Sequence, residues 1–462
     1  MQRILAIAGL TWKAALRFKL FLVIAGLLVL AVVGLPLLIK DDGTARGFTQ
    51  IILTYTLSAI TALLGLSTLW LACGTLARDI EECQMQVVAT KPVARWQIWL
   101  GKWLGIVSLN AVLLAFSGGC VYGLLVWRAG KLPADEQKIL REQVLVARGV
   151  AKEKDFSADI NAEAARVLKE RLASSPVTTA DLPEVQRQIR EQLKAELQVV
   201  PPGYQHVWQI DLGLAKHFLQ DKPLQLRVKF NSAQKSPSGT FLALWQVGVP
   251  ETAKLWRTEV PMSLAPDTVH EFQIPPNLFD TNGVLTIMFA NVNDTALLFP
   301  LEDGMEVLYP EGGFALNFIR GLGIIFCWMA LVAALGLAAA SLLSFPVAAF
   351  FSLAMLIVVM SSGTLADAVQ TGTIIGANEE TGEVGHSRAD LILIPLFKAI
   401  LAVTRIVQNY SPIDSLSSGR AITWGELGLA FTQIVLVLGG IFALIGIWLF
   451  RRRELAAAQG MQ

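Results

Sequence analysis

Six stretches of this chain are nearly free of charge and long enough, or almost long enough, to cross lipid: 18–39, 51–77, 103–127, 318–343, 345–363 and 427–450. A bilayer core takes about 20 apolar residues per helix, because inside lipid the backbone must satisfy its own hydrogen bonds. The fifth stretch is the shortest, and Pro346 opens it, as suits a first helical turn. Composition points the same way, with 54% hydrophobic and 16% charged residues against roughly a quarter charged in soluble proteins. The first stretch is not expected to be a cleaved signal peptide: its apolar run is too long and no small-residue cleavage site follows before Lys40.

Lys and Arg near span ends set orientation. Arg3, Lys13, Arg17 and Lys19 precede the first stretch, Arg78, Lys91, Arg95 and Lys102 separate the second from the third, and Arg451, Arg452 and Arg453 follow the last. Placing all three groups in the cytoplasm gives six spans with both termini inside a plasma (inner) membrane. The apolar segment 391–407 would upset this count as a seventh span. It contains Pro395, Lys398 and Arg405, each cation costing about 3 kcal/mol at a span centre, so it reads as an interfacial or re-entrant element inside an outer segment 364–424.

Residues 128–317 hold most of the charge and no spanning run, and are expected outside the cytoplasm. The part 133–197 reads as helical, with Asp181, Pro183 and Glu184 resembling a helix start. From Tyr204 the period changes. Residues 224–230 alternate strictly, 240–247, 271–274 and 284–290 read as further strands, and turn signals at Ser236–Gly239, Pro275-Pro276 and Asn282-Gly283 separate them. The expected fold is thus a mainly α-helical integral membrane protein of six transmembrane helices. It carries a large extracytoplasmic α+β insertion with an antiparallel, jelly-roll-like β-sandwich. The domain plan is 1–127 (amphipathic N-terminal segment, three spans, cytoplasmic loop 78–102), 128–203 (helical), 204–315 (sandwich) and 316–462 (three spans and the outer element).

Chemistry-bearing motifs are sparse. There is no G-x-x-x-x-G-K-[ST] phosphate loop, so ATP hydrolysis by this chain is not expected. His206, His217, His270 and His386 are scattered, no cysteine pair has metal-site spacing, and no catalytic or metal site is assigned. The net charge of +1 favours no nucleic-acid partner. Trp208, Trp245 and Trp256 could form an outer stacking platform for a sugar, or serve as core packing. On the inner loop, Trp96, Trp99 and Trp103 share a helical face behind Pro92 and read as an interfacial helix whose polar side can meet a cytoplasmic partner. The second stretch carries a seam of Thr54, Ser58, Thr61, Gly65, Thr68, Ala72 and Thr75 at alternating four- and three-residue spacing, suited to close helix packing or to a conduit wall. No acidic residue sits centrally in a span, which disfavours a proton-relay carrier.

With these features the chain resembles the membrane subunits of ABC-2 type transporters. The resemblance lies in the amphipathic segment 1–19, the charged run Arg78, Asp79, Glu81 and Glu82, the Lys91-Pro92-Val-Ala-Arg95 run leading to Gly101-Lys102, and the terminal Arg451-Arg452-Arg453. It implies a permease that binds no cofactor itself, with ATP and Mg held by a separate ABC ATPase subunit, and a second permease half, identical or related. Arg78, Asp79, Glu81, Glu82, Lys91, Pro92, Arg95 and Lys102 would then couple to the ATPase, and Thr54, Ser58, Thr61, Gly65 and Thr68 would line the conduit or dimer seam. Export is the direction it implies. Two other readings share parts of this pattern: a membrane-anchored extracytoplasmic binding or structural protein, and an ABC-type device that transmits force without substrate flux.

Overall fold

The computed structural model describes residues 2–17, 19–38, 44–85, 93–140, 144–174, 182–249, 254–360, 362–374, 387 and 389–453. The chain forms two compact units, one made of Met1–Ala147 with Gly312–Gln462 and the other of Arg148–Glu311.

The first unit is helical. It opens with α1 (Gln2–Arg17), α2 (Lys19–Leu38), α3 (Ala45–Glu81), α4 (Arg95–Ala129) and α5 (Ala134–Ile139). Helices α6 (Ser157–Ser174) and α7 (Leu182–Gln198) belong to the second unit. The first unit resumes with α8 (Phe314–Ala340), α9 (Phe345–Met360), α10 (Ser362–Thr371), α11 (Asp390–Gln408), α12 (Pro412–Ser417) and α13 (Trp424–Arg452), the last carrying a π-helical stretch at Phe431–Gly439. Five helices are long and apolar enough to cross a membrane: Phe21–Leu38, Gly47–Glu81, Arg95–Ala129, Phe314–Ala340 and Trp424–Arg452. By length and composition this is a membrane protein. The expected fifth span is shorter, its apolar part being Phe345–Val359.

Helices α3 and α4 run antiparallel, and side-chain contacts mark both ends of the bundle. At one end, Arg95 at the start of α4 reaches the last carbonyls of α13, and Glu81 at the end of α3 meets the start of α9. At the other, the Glu136 carboxylate accepts from the Ala45 backbone N–H at 2.7 Å, and Arg128 donates to the Pro36 carbonyl. Close approach is set by small residues. A Cβ built on Gly336 would stand 2.7 Å from that of Ala72, and one on Gly446 would stand 2.8 Å from Trp99 Nε1. The segment expected to be interfacial or re-entrant forms α11. This amphipathic helix buries Ile394, Leu401 and Thr404 and exposes Leu391 and Ile392, with Pro395 inside it. It packs on α10.

The second unit combines α6 and α7 with antiparallel strand pairs. One sheet has the order β1 (Val146–Ala151), β12 (Met305–Gly313), β4 (Leu224–Lys229), β9 (Val269–Ile274). A second runs β3 (Gln205–Asp211), β10 (Val284–Asn291), β6 (Phe241–Gly248), β7 (Leu255–Arg257), with β8 (Met262–Leu264) also on β6. A small third sheet joins β2 (Val199–Val200), β11 (Leu297–Leu298) and β5 (Asn231–Ser232). Strand β10 alternates buried and half-buried residues along its length, the period-two signature of a strand with one face on a core. Inward residues of both larger sheets, among them Leu226, Val228, Ile287 and Phe289, share one hydrophobic core. The opposite face of the first sheet carries buried polar groups. Arg148 donates to Gln225 at 2.6 Å and to Glu271 at 2.8 Å, and Lys152 pairs with the fully buried Glu306 at 2.9 Å. The expectation of helix throughout 133–197 fails at Val146–Ala151, which is a strand because its ladder partner β12 comes from the far end of the insertion. The boundary expected at 203/204 does not divide the units either: the helices and sheets of 148–311 form one unit.

Candidate coupling end of the helical unit

Five helix ends converge where the charged loop was expected to act. Lys102, about two turns into α4, points back to the end of α3. Its ammonium lies 2.5 Å from the Asp79 carboxylate and donates to the Thr75 carbonyl at 2.7 Å. The Lys102 side chain is only 7% exposed, while Asp79 keeps 31%. Arg95 donates to the carbonyls of Phe450, Arg451 and Arg453 at 2.8, 2.7 and 2.9 Å. These are the carbonyls a helix leaves unpaired at its C-terminus, where the dipole also favours a cation. Arg453 repeats the arrangement one helix over, donating to the carbonyls of Ala340, Ser341 and Leu343 beyond the end of α8. Burial lowers the pKa of Arg453, and the nearby Glu81 carboxylate partly restores it. Glu81 accepts the Phe345 backbone N–H at 2.8 Å, placing a negative charge at the positive start of α9. The Arg78 guanidinium lies 4.5 Å from the centre of the Phe345 ring.

Arg78, Asp79, Glu81, Arg95 and Lys102 are therefore gathered at one end, and the ends of α3, α4, α8, α9 and α13 are tied through them and Arg453. Glu82 is exposed, with Gln84 donating to it at 2.8 Å. Lys91 and Pro92 lie outside the described residues. The interfacial reading of the tryptophan face is corrected. Trp99 is fully buried against Gly446 and Ala338, and Trp103 donates to the Ala330 carbonyl at 3.0 Å, because α4 runs unbroken from Arg95 into the bundle. Trp96 alone of the three is exposed.

The small-residue seam of α3 is divided. Thr68 is buried, accepting from Asn110 Nδ2 at 2.7 Å and donating to the Leu64 carbonyl at 2.6 Å. Gly65 faces Met329, and Ala72 packs on Gly336. Thr68 is thus closed off by the chain's own α4, whereas Gly65 is half-buried and a Cβ built on it would meet only Met329 Cε, at 4.0 Å. Thr54 and Thr61 are half-buried and Ser58 is exposed.

The outer tryptophan platform is also corrected. Trp208 and Trp245 are buried in the sheet core, with Trp245 4.8 Å from Phe289 and 6.2 Å from Trp208 between ring centres. Trp256 is half-buried on β7 against Phe272. Their faces pack against aromatic neighbours of the same unit.

The contact between α1 and α4 has its own sequence signal. Gly101 and Gly105 stand four residues apart on α4, and α1 lies against them. A Cβ at Gly101 would come 2.7 Å from Ile7 Cβ, and one at Gly105 would come 2.9 Å from the Ala8 carbonyl oxygen. Trp12 Nε1 donates to Ser108 at 2.9 Å. The Gly-x-x-x-Gly spacing is the sequence signal for such backbone approach. Among the described residues no cluster of three or more His, Cys, Asp or Glu side chains could hold a metal ion.

No family model matches the chain, and no curated protein or solved structure is measurably similar to it.

Proposed function

We propose that the chain is the membrane (permease) subunit of an ABC-2 type transporter. A separate ABC ATPase, holding ATP and Mg, drives it from the end formed by α3 and α4, and a second permease half completes the assembly. The chain itself is then not an enzyme, and export is the direction of transport. In this reading α9, continued by α10, supplies the sixth crossing, both termini are cytoplasmic in a plasma (inner) membrane, and residues 128–317 are extracytoplasmic. The two larger sheets form a jelly-roll-like sandwich.

The observation that supports this reading best is the convergence of five helix ends on the α3–α4 hairpin. A push on residues next to Glu82 and Arg95 is carried by ion pairs and carbonyl contacts into α8, α9 and α13 at once. An ATPase moves such a device only by binding its two states differently. Glu82, being exposed, is the contact residue; Asp79, Glu81, Arg95 and Lys102 hold the levers in register. Charge reversal at Glu82 should abolish co-purification with the ATPase. Arg95→Gln should leave co-purification intact and uncouple ATP hydrolysis from transport. Undiminished association after Glu82→Lys, together with normal coupling in Arg95→Gln, overturns the assignment. A second reading, force transmission without flux, draws on the insertion being a separately packed unit. Substrate flux in reconstituted vesicles distinguishes the two.

A further inference from the structure

We propose that α11 lies in the membrane plane and gathers anionic phospholipid headgroups at Lys398 and Arg405. One face of this helix packs on α9, α10 and the π-helical stretch of α13, burying Ile394, Leu401 and Thr404. The rest of its surface sorts by chemistry. At 3.6 residues per turn, Lys398 and Arg405 fall within about 20° of each other around the axis. Both are exposed, and among the described residues neither forms an ion pair or a hydrogen bond. The one acid on α11, Asp390, is buried and accepts the backbone N–H groups of Ile374 and Ser387 at 3.2 and 2.7 Å. Leu396 and Val403, also exposed and seven residues apart, stand about 160° from the cations. Ile392 and Ala399, on the flank opposite the buried face, are exposed as well.

These positions fix one posture. Laid in the membrane plane with its buried face on the bundle, the helix turns Leu396 and Val403 toward acyl chains. The same rotation lifts both cations to the phosphate level, as in an interfacial helix. A spanning posture would instead carry Lys398, roughly 12 Å along the axis, close to the middle of a ~30 Å core. A second copy of the chain fits less well, because a twofold contact through this face brings like charges together. Two cations about 10 Å apart with no acid to offset them are complementary to lipid phosphates. In the orientation proposed above, this is the outer leaflet.

The inference rests on the helical unit lying in a membrane and not on ATPase docking. The test uses the full-length protein in phosphatidylcholine vesicles, with Cys83 and Cys120 replaced by Ser and the buried Cys73 and Cys327 left in place. Nitroxides on Leu396→Cys and on Val403→Cys report depth through their relative accessibility to oxygen and to a water-soluble relaxant. The two depths should agree within about 3 Å, whereas a spanning helix separates them by about 10 Å. Ile392→Cys and Ala399→Cys give a second pair with the same expectation if a label perturbs the first. A fluorophore on Ala402→Cys, between the two cations in sequence, then reports the lipid beside them. It is quenched by phosphatidylglycerol or by phosphatidylcholine, each bearing a nitroxide near the top of one acyl chain and present at equal fraction. The expected preference for the anionic lipid is roughly fivefold, the scale of one Lys or Arg at an anionic surface. Lys398→Gln with Arg405→Gln should bring the ratio close to one at unchanged depth, and Lys398→Arg should retain it. A depth difference near 10 Å, labels that only the water-soluble relaxant reaches, equal quenching by the two lipids, or a preference that survives the double Gln variant each overturns the proposal. A preserved lipid preference alongside failed ATPase co-purification would refute the transporter reading alone.

Discussion

Removing Asp79 should cost this protein more than removing Lys102, although the two form one ion pair. The Lys102 ammonium is buried and has two acceptors, the Asp79 carboxylate at 2.5 Å and the Thr75 carbonyl at 2.7 Å. In Asp79→Ala the cation stays in a site that is 7% exposed, with one neutral acceptor. Breaking a fully buried pair this way costs about 3–5 kcal/mol. Asp79 is about one-third exposed, so solvent screening reduces the expected loss to about 2 kcal/mol. In Lys102→Met an apolar chain of similar length fills the site and the carboxylate turns to water, so the expected loss is about 0–1 kcal/mol. The double variant should resemble Lys102→Met, leaving a coupling energy of about 1.5–2 kcal/mol. Reversible unfolding in mixed micelles, titrated with SDS and followed by far-UV circular dichroism, measures all four corners of the cycle. Equal costs for the two single variants, with a coupling below about 0.5 kcal/mol, would refute the claim that Lys102 depends on Asp79.

Gly105→Leu should detach α1 from α4, because the new side chain meets the Ala8 backbone and not a movable side-chain tip; a loss of about 1–3 kcal/mol and new protease sensitivity within residues 2–17 are the readouts. Trp245→Ala should destabilise the inserted unit by about 3–5 kcal/mol and Trp256→Ala by clearly less, since only the former ring is fully buried; denaturant unfolding of the full chain ranks them. Burial lowers the pKa of His206 from 6.5, so the folded state resists its protonation. The stability cost is therefore absent above about pH 6.5 and grows as pH falls below it. His206→Gln should flatten the acid limb of the unfolding profile, and an unchanged limb would contradict this. Burial raises the pKa of Glu153, which acts in the opposite sense: stability is lost as pH rises above the ordinary value of 4.5, and Glu153→Gln should remove that loss.

Much of the architecture was legible because two simple periods carry it. Uninterrupted apolar runs marked the five long helices, strict alternation in 224–230 marked β4, and the strand-like run 284–290 marked β10, each strand within a residue or so. Val146–Ala151 was not legible as a strand, because what makes it one is a ladder to β12 more than 150 residues away. The inner loop showed the right residue types and a misleading placement. Trp99 and Trp103 have the spacing of an interfacial face, but whether that face meets lipid or α8 and α13 depends on which helices lie beside α4. The outer tryptophans illustrate the same gap: an indole suits a binding platform and a core equally well until its neighbours are known.

Sequence alone determined that this chain must bury long helices in lipid and carry a polar insertion between them, since hydrophobic length and charge distribution are local quantities read against a solvent of known thickness. Only the tertiary structure decided which charges are spent inside the protein. Asp79, Lys102, Arg95 and Arg453 look alike in a sequence, as free surface groups would, yet each closes a specific carbonyl cluster or ion pair contributed by another helix. The physical reason is that pairing a charge depends on the third dimension. A helix end offers its unpaired carbonyls only to the side chain that packing brings within about 3 Å.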